Sequence, residues 1–266
     1  MSARKIKDFE SFVNESYYNN IDEGILSGIK KYGKTIFGWA YKLLKNILKG
    51  LIEPIPYGPK KGLPTIMLFL PDSGEPIYNQ MSKYEEGIDP RKSGGFHTYG
   101  SGVRESELPI EYTQEDTVDN IALDAKDYII ESYKKKSNGD QINSLFIKDE
   151  SSKKLGIKCV GRSAGELLIP VLCIYTEYIN PNDIFRNDNL SINDILPTID
   201  DENNRGGIIL LEDFDKADRT IIDYFNNIVK TGETDGYKLP SKWIIVASGK
   251  NPELIGDLSG FIIREK

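Results

Sequence analysis

The chain has a single histidine, His97, set in a polar, Gly-rich stretch. A histidine-ligated metal centre or a histidine-based catalytic triad is therefore not expected. Cysteine is nearly absent too. Cys159 and Cys173 both sit in apolar surroundings, which points to buried thiols in a reducing compartment rather than a disulfide framework. There is no surplus of positive charge. Lys and Arg total 34 against 41 Asp and Glu, a formal net charge of −7, so no nucleic-acid partner is expected, although a local basic patch stays open. No apolar core adjoins Met1-Ser2-Ala3-Arg4, so no secretory signal peptide is expected. What is present fits a soluble globular protein: 266 residues, 39% hydrophobic and 28% charged, enough for one large domain or two small ones.

The most informative stretch runs from Gly206 to Asp218. Ile208, Ile209, Leu210 and Leu211 form an unbroken branched aliphatic run, which predicts a strand over 207–211 buried on both faces, as in a parallel sheet. Glu212 and Asp213 stand where that strand ends. Ligands in open α/β sheets bind outside the carboxyl ends of strands, where acids handle a metal ion or a water. Asp218 reads as a helix N-cap, and Ile221, Ile222, Phe225, Ile228 and Val229 mark the inward face of the helix after it. A second buried strand is predicted over 243–247, and it leads into Ser248-Gly249-Lys250-Asn251-Pro252.

Residues 206–253 resemble the Walker B to sensor 1 segment of MoxR-type AAA+ ATPases. The likeness rests on the aliphatic strand ending in acids and on Gly236-Tyr237-Lys238-Leu239-Pro240-Ser241-Lys242-Trp243 followed by Ala247-Ser248-Gly249. Ile179-Asn180-Pro181-Asn182-Asp183-Ile184-Phe185 is similar to an Asn-Pro-x-Asp-Phe element of the same family. The resemblance implies a P-loop NTPase-like parallel sheet flanked by helices. Its strands would lie near 144–148, 169–175, 207–211 and 243–247, with 207–211 beside 243–247 and 144–148 also beside 243–247. It implies ATP and Mg²⁺ as the family's cofactors, Glu212 and Asp213 as Walker B-like catalytic positions, and Asn251 at the sensor 1 position.

The chain departs from the family at several points. A phosphate loop needs glycines that turn backbone N–H groups to the phosphates, a Lys for the β/γ oxygens and a Ser or Thr for Mg²⁺. After the strand at 144–148 the chain reads Asp149-Glu150-Ser151-Ser152-Lys153-Lys154-Leu155-Gly156. Ser151, Ser152, Lys153 and Lys154 are the cofactor-binding candidates, with no glycine before them and two acids at the start. A second candidate, Gly161-Arg162-Ser163-Ala164-Gly165-Glu166, has Glu where the Lys belongs. The first fits the spacing better and leaves a helix over 153–166. The family's Asp-then-Glu order is exchanged in Glu212-Asp213, and a displacement of ~1 Å in a catalytic group can cost ~10²-fold in rate. The sequence stops at Lys266, so the family's helical lid is expected to be missing.

The N-terminal half divides at 64 and 139. Residues 4–15 form a short amphipathic pattern with Phe9, Phe12 and Val13 on one face. This fits a helix docked on the body, and it also resembles the leader of T-even-like phage proteins packaged into capsids, which would be clipped after Glu15. Residues 22–52 carry the longest helical pattern, with Ile25, Ile29, Ile36, Leu43 and Ile47 on one stripe and Lys30, Lys31, Lys34, Lys42, Lys45 and Lys49 elsewhere. Such a helix is either a core helix with a solvated lysine face or, over 25–52, a surface for an anionic membrane or an acidic partner. Lysines interrupt it too often for it to span a bilayer. Residues 53–64 read as a Pro/Gly linker, 65–70 as a short strand, 71–117 as irregular, and 118–135 as a helix capped by Thr117 and closed by Asn138-Gly139.

These readings give an α/β core over 140–266, an irregular segment with a connecting helix over 65–139, and a helical extension over 1–64. The leading expectation is a degenerate AAA+-like module without a bound cofactor, in which ATP hydrolysis has been lost. Such a module would act through protein partners, a phage particle or copies of itself, in the host cytoplasm or the virion. The alternatives are an ATPase with an atypical site using ATP and Mg²⁺, and a membrane- or partner-binding protein acting through 25–52.

Overall fold

The computed structural model describes residues 66–69, 71, 76–88, 118–149, 154–179, 181, 196–197, 206–234 and 236–264. The leader, the basic helix, the linker and Thr117 lie outside the described residues, as do Ser151, Ser152 and Lys153.

Along the chain, strand β1 (Ile66–Phe69) precedes helix α1 (Ile77–Glu85) and helix α2 (Val118–Ser137). Then come β2 (Ser144–Lys148), α3 (Leu155–Leu167), β3 (Val171–Tyr175), β4 (Gly207–Glu212) and α4 (Arg219–Thr231). The short strands β5 (Glu233–Thr234) and β6 (Tyr237–Lys238) lead to β7 (Trp243–Gly249) and β8 (Phe261–Arg264). Six strands make one sheet in the order β1-β3-β4-β7-β2-β8, parallel throughout except for the β1–β3 pair. The chain is thus an α/β protein with a mostly parallel sheet. Both expected neighbour pairs are present: β4 lies beside β7 and β2 lies beside β7.

The aliphatic runs serve two cores at once. Successive strand residues point to opposite faces. Ile208 and Leu210 therefore join Ile147, Cys173 and Val246 on one face, under α1, α2 and α3. Ile209 and Leu211 join Phe146, Ile174 and Ile245 on the other, under Ile221, Ile222, Phe225 and Ile228 of α4. Each fully buried Ile, Leu or Phe contributes roughly 1.5–3 kcal/mol relative to an exposed one. Val229, expected to face inward, packs only at the margin of that second core. Cys159 and Cys173 are free, buried thiols, and burial pushes the Cys159 thiol up to about 12.

The N-terminal half contributes more to this body than its composition suggested. The expectation of an irregular segment over 71–117 is corrected at α1. Ile77, Met81 and Tyr84 recur at spacings of four and three, make one buried face, and pack on α3. Polar neighbours such as Asn79, Ser82 and Lys83 hid that short stripe in the sequence. The sheet does not begin at residue 140 either, because β1 forms its antiparallel edge.

Two boundaries shift in ways that shape the site. The helix expected from 153 starts at Leu155, because Lys154 takes a left-handed backbone with φ 50°. The strand expected to stop at Ala247 continues to Gly249, paired with Lys148. Ser248 is thereby held inside the sheet, at the edge where β2, β3 and β4 also end.

Candidate functional site

Because β2, β3, β4 and β7 run parallel, their carboxyl ends share one edge. Glu212 is the last residue of β4 and is 3% exposed. Its main-chain carbonyl accepts the Thr176 hydroxyl at 2.8 Å. Its side-chain Oε2 accepts the Ser248 hydroxyl, and Oε1 lies 4.0 Å from Lys154 Nζ. Burial pushes the Glu212 carboxyl up to about 8, against the opposing pull of the Ser248 bond and of Lys154. The Glu85 and Asp213 carboxylates add to the rise.

Asp213 turns away from this cluster. It has a left-handed backbone, φ 53°, and its Oδ1 pairs with Lys216 Nζ at 2.9 Å. Lys216 also reaches Glu177 at 3.3 Å. Burial loosens the Lys216 proton, but the two carboxylates outweigh it and hold the ammonium above the ordinary lysine range.

Lys154 stands at the start of α3 and pairs with Glu85 Oε2, at the end of α1, at 2.9 Å. Burial again works against the charged form, and Glu85, Glu212 and Asp213 together keep it protonated. Asp149, just after β2, bends back towards the same helix start. Its main-chain N–H donates to the Gly249 carbonyl at 2.8 Å, and its Oδ2 accepts the Gly156 N–H at 3.3 Å. Asp149 is 5% exposed, and burial raises its pKa although the Gly156 and Leu155 amides favour the charged form.

Gly156 is tightly enclosed. A Cβ there would come within 2.7 Å of the Ser248 Cβ and 2.9 Å of Glu212 Oε2. The space beside the Glu212 carboxylate is thus already filled by the glutamate and the serine.

Of the residues chosen from sequence, Glu212 and Lys154 meet, whereas Asp213 is tied to Lys216. Asn251 enters through its backbone: its N–H and that of Lys250 donate to Asp215 Oδ2 at 2.8 and 3.1 Å. Asp215 therefore clamps the turn after β4 to the end of β7. Gly249 permits the approach, since a Cβ there would lie 2.2 Å from Asp215 Oδ1. Sequence reading missed Ser248, Asp215, Lys216 and Glu85 as members of this edge. Ser248 carried a signal, a polar residue closing an apolar strand. Glu85 carried none.

Among the described residues, no group of three or more His, Cys, Asp or Glu is arranged to hold a metal ion, and no helix is long and apolar enough to cross a membrane. No protein-family model matches the chain, and no curated protein matches it.

Proposed function

We propose that this chain is a degenerate AAA+-like module that has lost ATP hydrolysis and serves as a structural or adaptor component, with the leader-like residues 4–15 favouring a phage particle as its setting. The strand order supports the likeness, since the strand before the loop and the acid-bearing strand both flank β7. The observation that carries the loss of chemistry is the packing of Gly156 against Glu212 and Ser248.

Setting the G-x-x-x-x-G-K-[ST] pattern on Asp149 to Gly156 puts Leu155 where the phosphate lysine belongs. It puts Gly156 where the Mg²⁺-binding hydroxyl belongs. Mg²⁺ needs near-octahedral oxygen ligands at roughly 2.0–2.1 Å. Here the hydroxyl is missing, and the longer Glu212 side chain fills the gap and bonds Ser248 instead. Asp213, at the water-orienting position, is held by Lys216. The exchanged lengths of the two acids thus go with a changed partner for each.

The test is titration calorimetry of the pure full-length chain with ATP and Mg²⁺, beside a phosphate-release assay. Neither binding heat nor turnover is expected. Micromolar binding, or turnover abolished by Asp213→Asn, would overturn this reading and favour the atypical ATPase.

A further inference from the structure

Resting on that reading of the site, we propose that the chain's own carboxylates, Asp149 and Glu85, occupy the anion-binding groups at the start of α3 and keep phosphate ligands out. The contact is autoinhibitory and built into the fold.

Two groups at this point suit an anion. The first is the α3 N-terminus, whose outward-facing amides and dipole attract negative charge. The second is the ammonium of Lys154. Each already holds a carboxylate from elsewhere in the chain. Asp149 comes from seven residues before Gly156 and accepts its N–H. Glu85 comes from the end of α1, which packs on α3, and pairs with Lys154 at 2.9 Å.

Asp149 is 5% exposed with its Oδ1 lacking a hydrogen-bond partner, and the Glu85 carboxylate also meets the buried Tyr175 hydroxyl. Asp149 is held by the amides at the start of α3, and Glu85 by the Lys154 ammonium.

The remaining charges at this edge decide what a ligand would meet. Glu212 lies 4.0 Å from Lys154 and is bonded to Ser248, and Asp213 is neutralised by Lys216. Asp149 and Glu85 make the short contacts that an incoming phosphate would have to displace from the Gly156 amide and the Lys154 ammonium, while Glu212 acts on the ammonium from 4.0 Å.

The experiment uses the full chain and inorganic tripolyphosphate without Mg²⁺, followed by calorimetry at neutral pH. The wild type, Glu85→Gln, the double variant Glu85→Gln/Asp149→Ser, and that double variant with Lys154→Ala are compared. The wild type is expected to be silent. The double variant is expected to bind roughly tenfold or more tightly than the wild type, and adding Lys154→Ala is expected to abolish the gain. A folded double variant as silent as the wild type overturns the autoinhibitory contact and leaves the inactive-module reading standing. Micromolar binding by the wild type overturns both. If circular dichroism finds the double variant unfolded, Glu85→Gln alone decides: binding above wild type supports the proposal, and none overturns it.

Discussion

Helices α3 and α4 both follow a parallel strand of the same sheet, yet they begin in opposite ways. Asp218 caps α4 locally, its side chain accepting the Thr220 N–H at 2.8 Å. This is a self-contained start, encoded by neighbouring residues. The residue before α3 is Lys154, in a left-handed conformation and without a side-chain cap bond. A non-glycine residue costs roughly 1–2 kcal/mol there. The acceptor comes instead from Asp149, and the lysine is steadied by Glu85 and Glu212. One helix start serves the helix alone. The other is strained and collects four ionisable side chains, Glu85, Asp149, Lys154 and Glu212, from separate parts of the fold.

This contrast is broken or sharpened most strongly by pH. The Glu212 carboxyl is raised from 4.5 to about 8, so the native state keeps its proton where the unfolded chain has lost it. Stability from this group is fully present below the unfolded value and is lost as pH rises through the folded one. Asp149 is raised as well and acts with the same sign. Denaturant unfolding across this window is expected to show a loss on the order of a few kcal/mol towards the alkaline side. Glu212→Gln is expected to flatten the profile. An unchanged slope in that variant would remove Glu212 as its origin.

Next in size is Gly156→Ala. The added Cβ meets the Ser248 Cβ at 2.7 Å and Glu212 Oε2 at 2.9 Å, so overpacking of about 1–3 kcal/mol is expected in urea unfolding. Stability equal to wild type would mean that the enclosure at α3 is loose, and the two helix starts would no longer differ in kind.

Asp218→Ala tests the other side. It removes one local cap bond and should cost ~1 kcal/mol, without altering the pH profile set by Glu212. A change in that profile would show that the α4 start is coupled to the site after all.

The smallest effect is expected from Asp213→Asn. Its ion pair with Lys216 is partly solvated on both sides, so the loss should be about 0–1 kcal/mol and should shrink further in salt. A larger loss would make Asp213 part of the buried cluster rather than its neighbour.

Much of the body was legible in the sequence. The buried strands at 144–148, 207–211 and 243–247 stood out as apolar runs, and α4 announced itself through Asp218 and the Ile221, Phe225, Ile228 stripe. Helix α1 was hidden because nine residues with three apolar anchors, in a polar Gly- and Pro-rich stretch, give a weak periodic signal. At the site, Glu212, Asp213 and Lys154 were singled out from the chain, but their partners were not. Ser248 was concealed by a strand taken to end two residues early, and Asp215 by its place as the third acid in a short run.

The residues by themselves determined which segments could be buried on two faces, where acids would stand at the end of β4, and that no glycine precedes Lys154 in its loop. Those properties follow from local composition and from periods of two and 3.6 residues. Only the tertiary structure decided that Glu212 meets Ser248, that Lys154 reaches back to Glu85, and that Asp149 caps a helix seven residues away. Such meetings depend on strand order, on parallel register and on the packing of α1 against α3. The first two meetings join segments far apart in the chain and the third crosses a loop, and a period along the sequence can say which face a side chain takes but not which group outside its own element shares it.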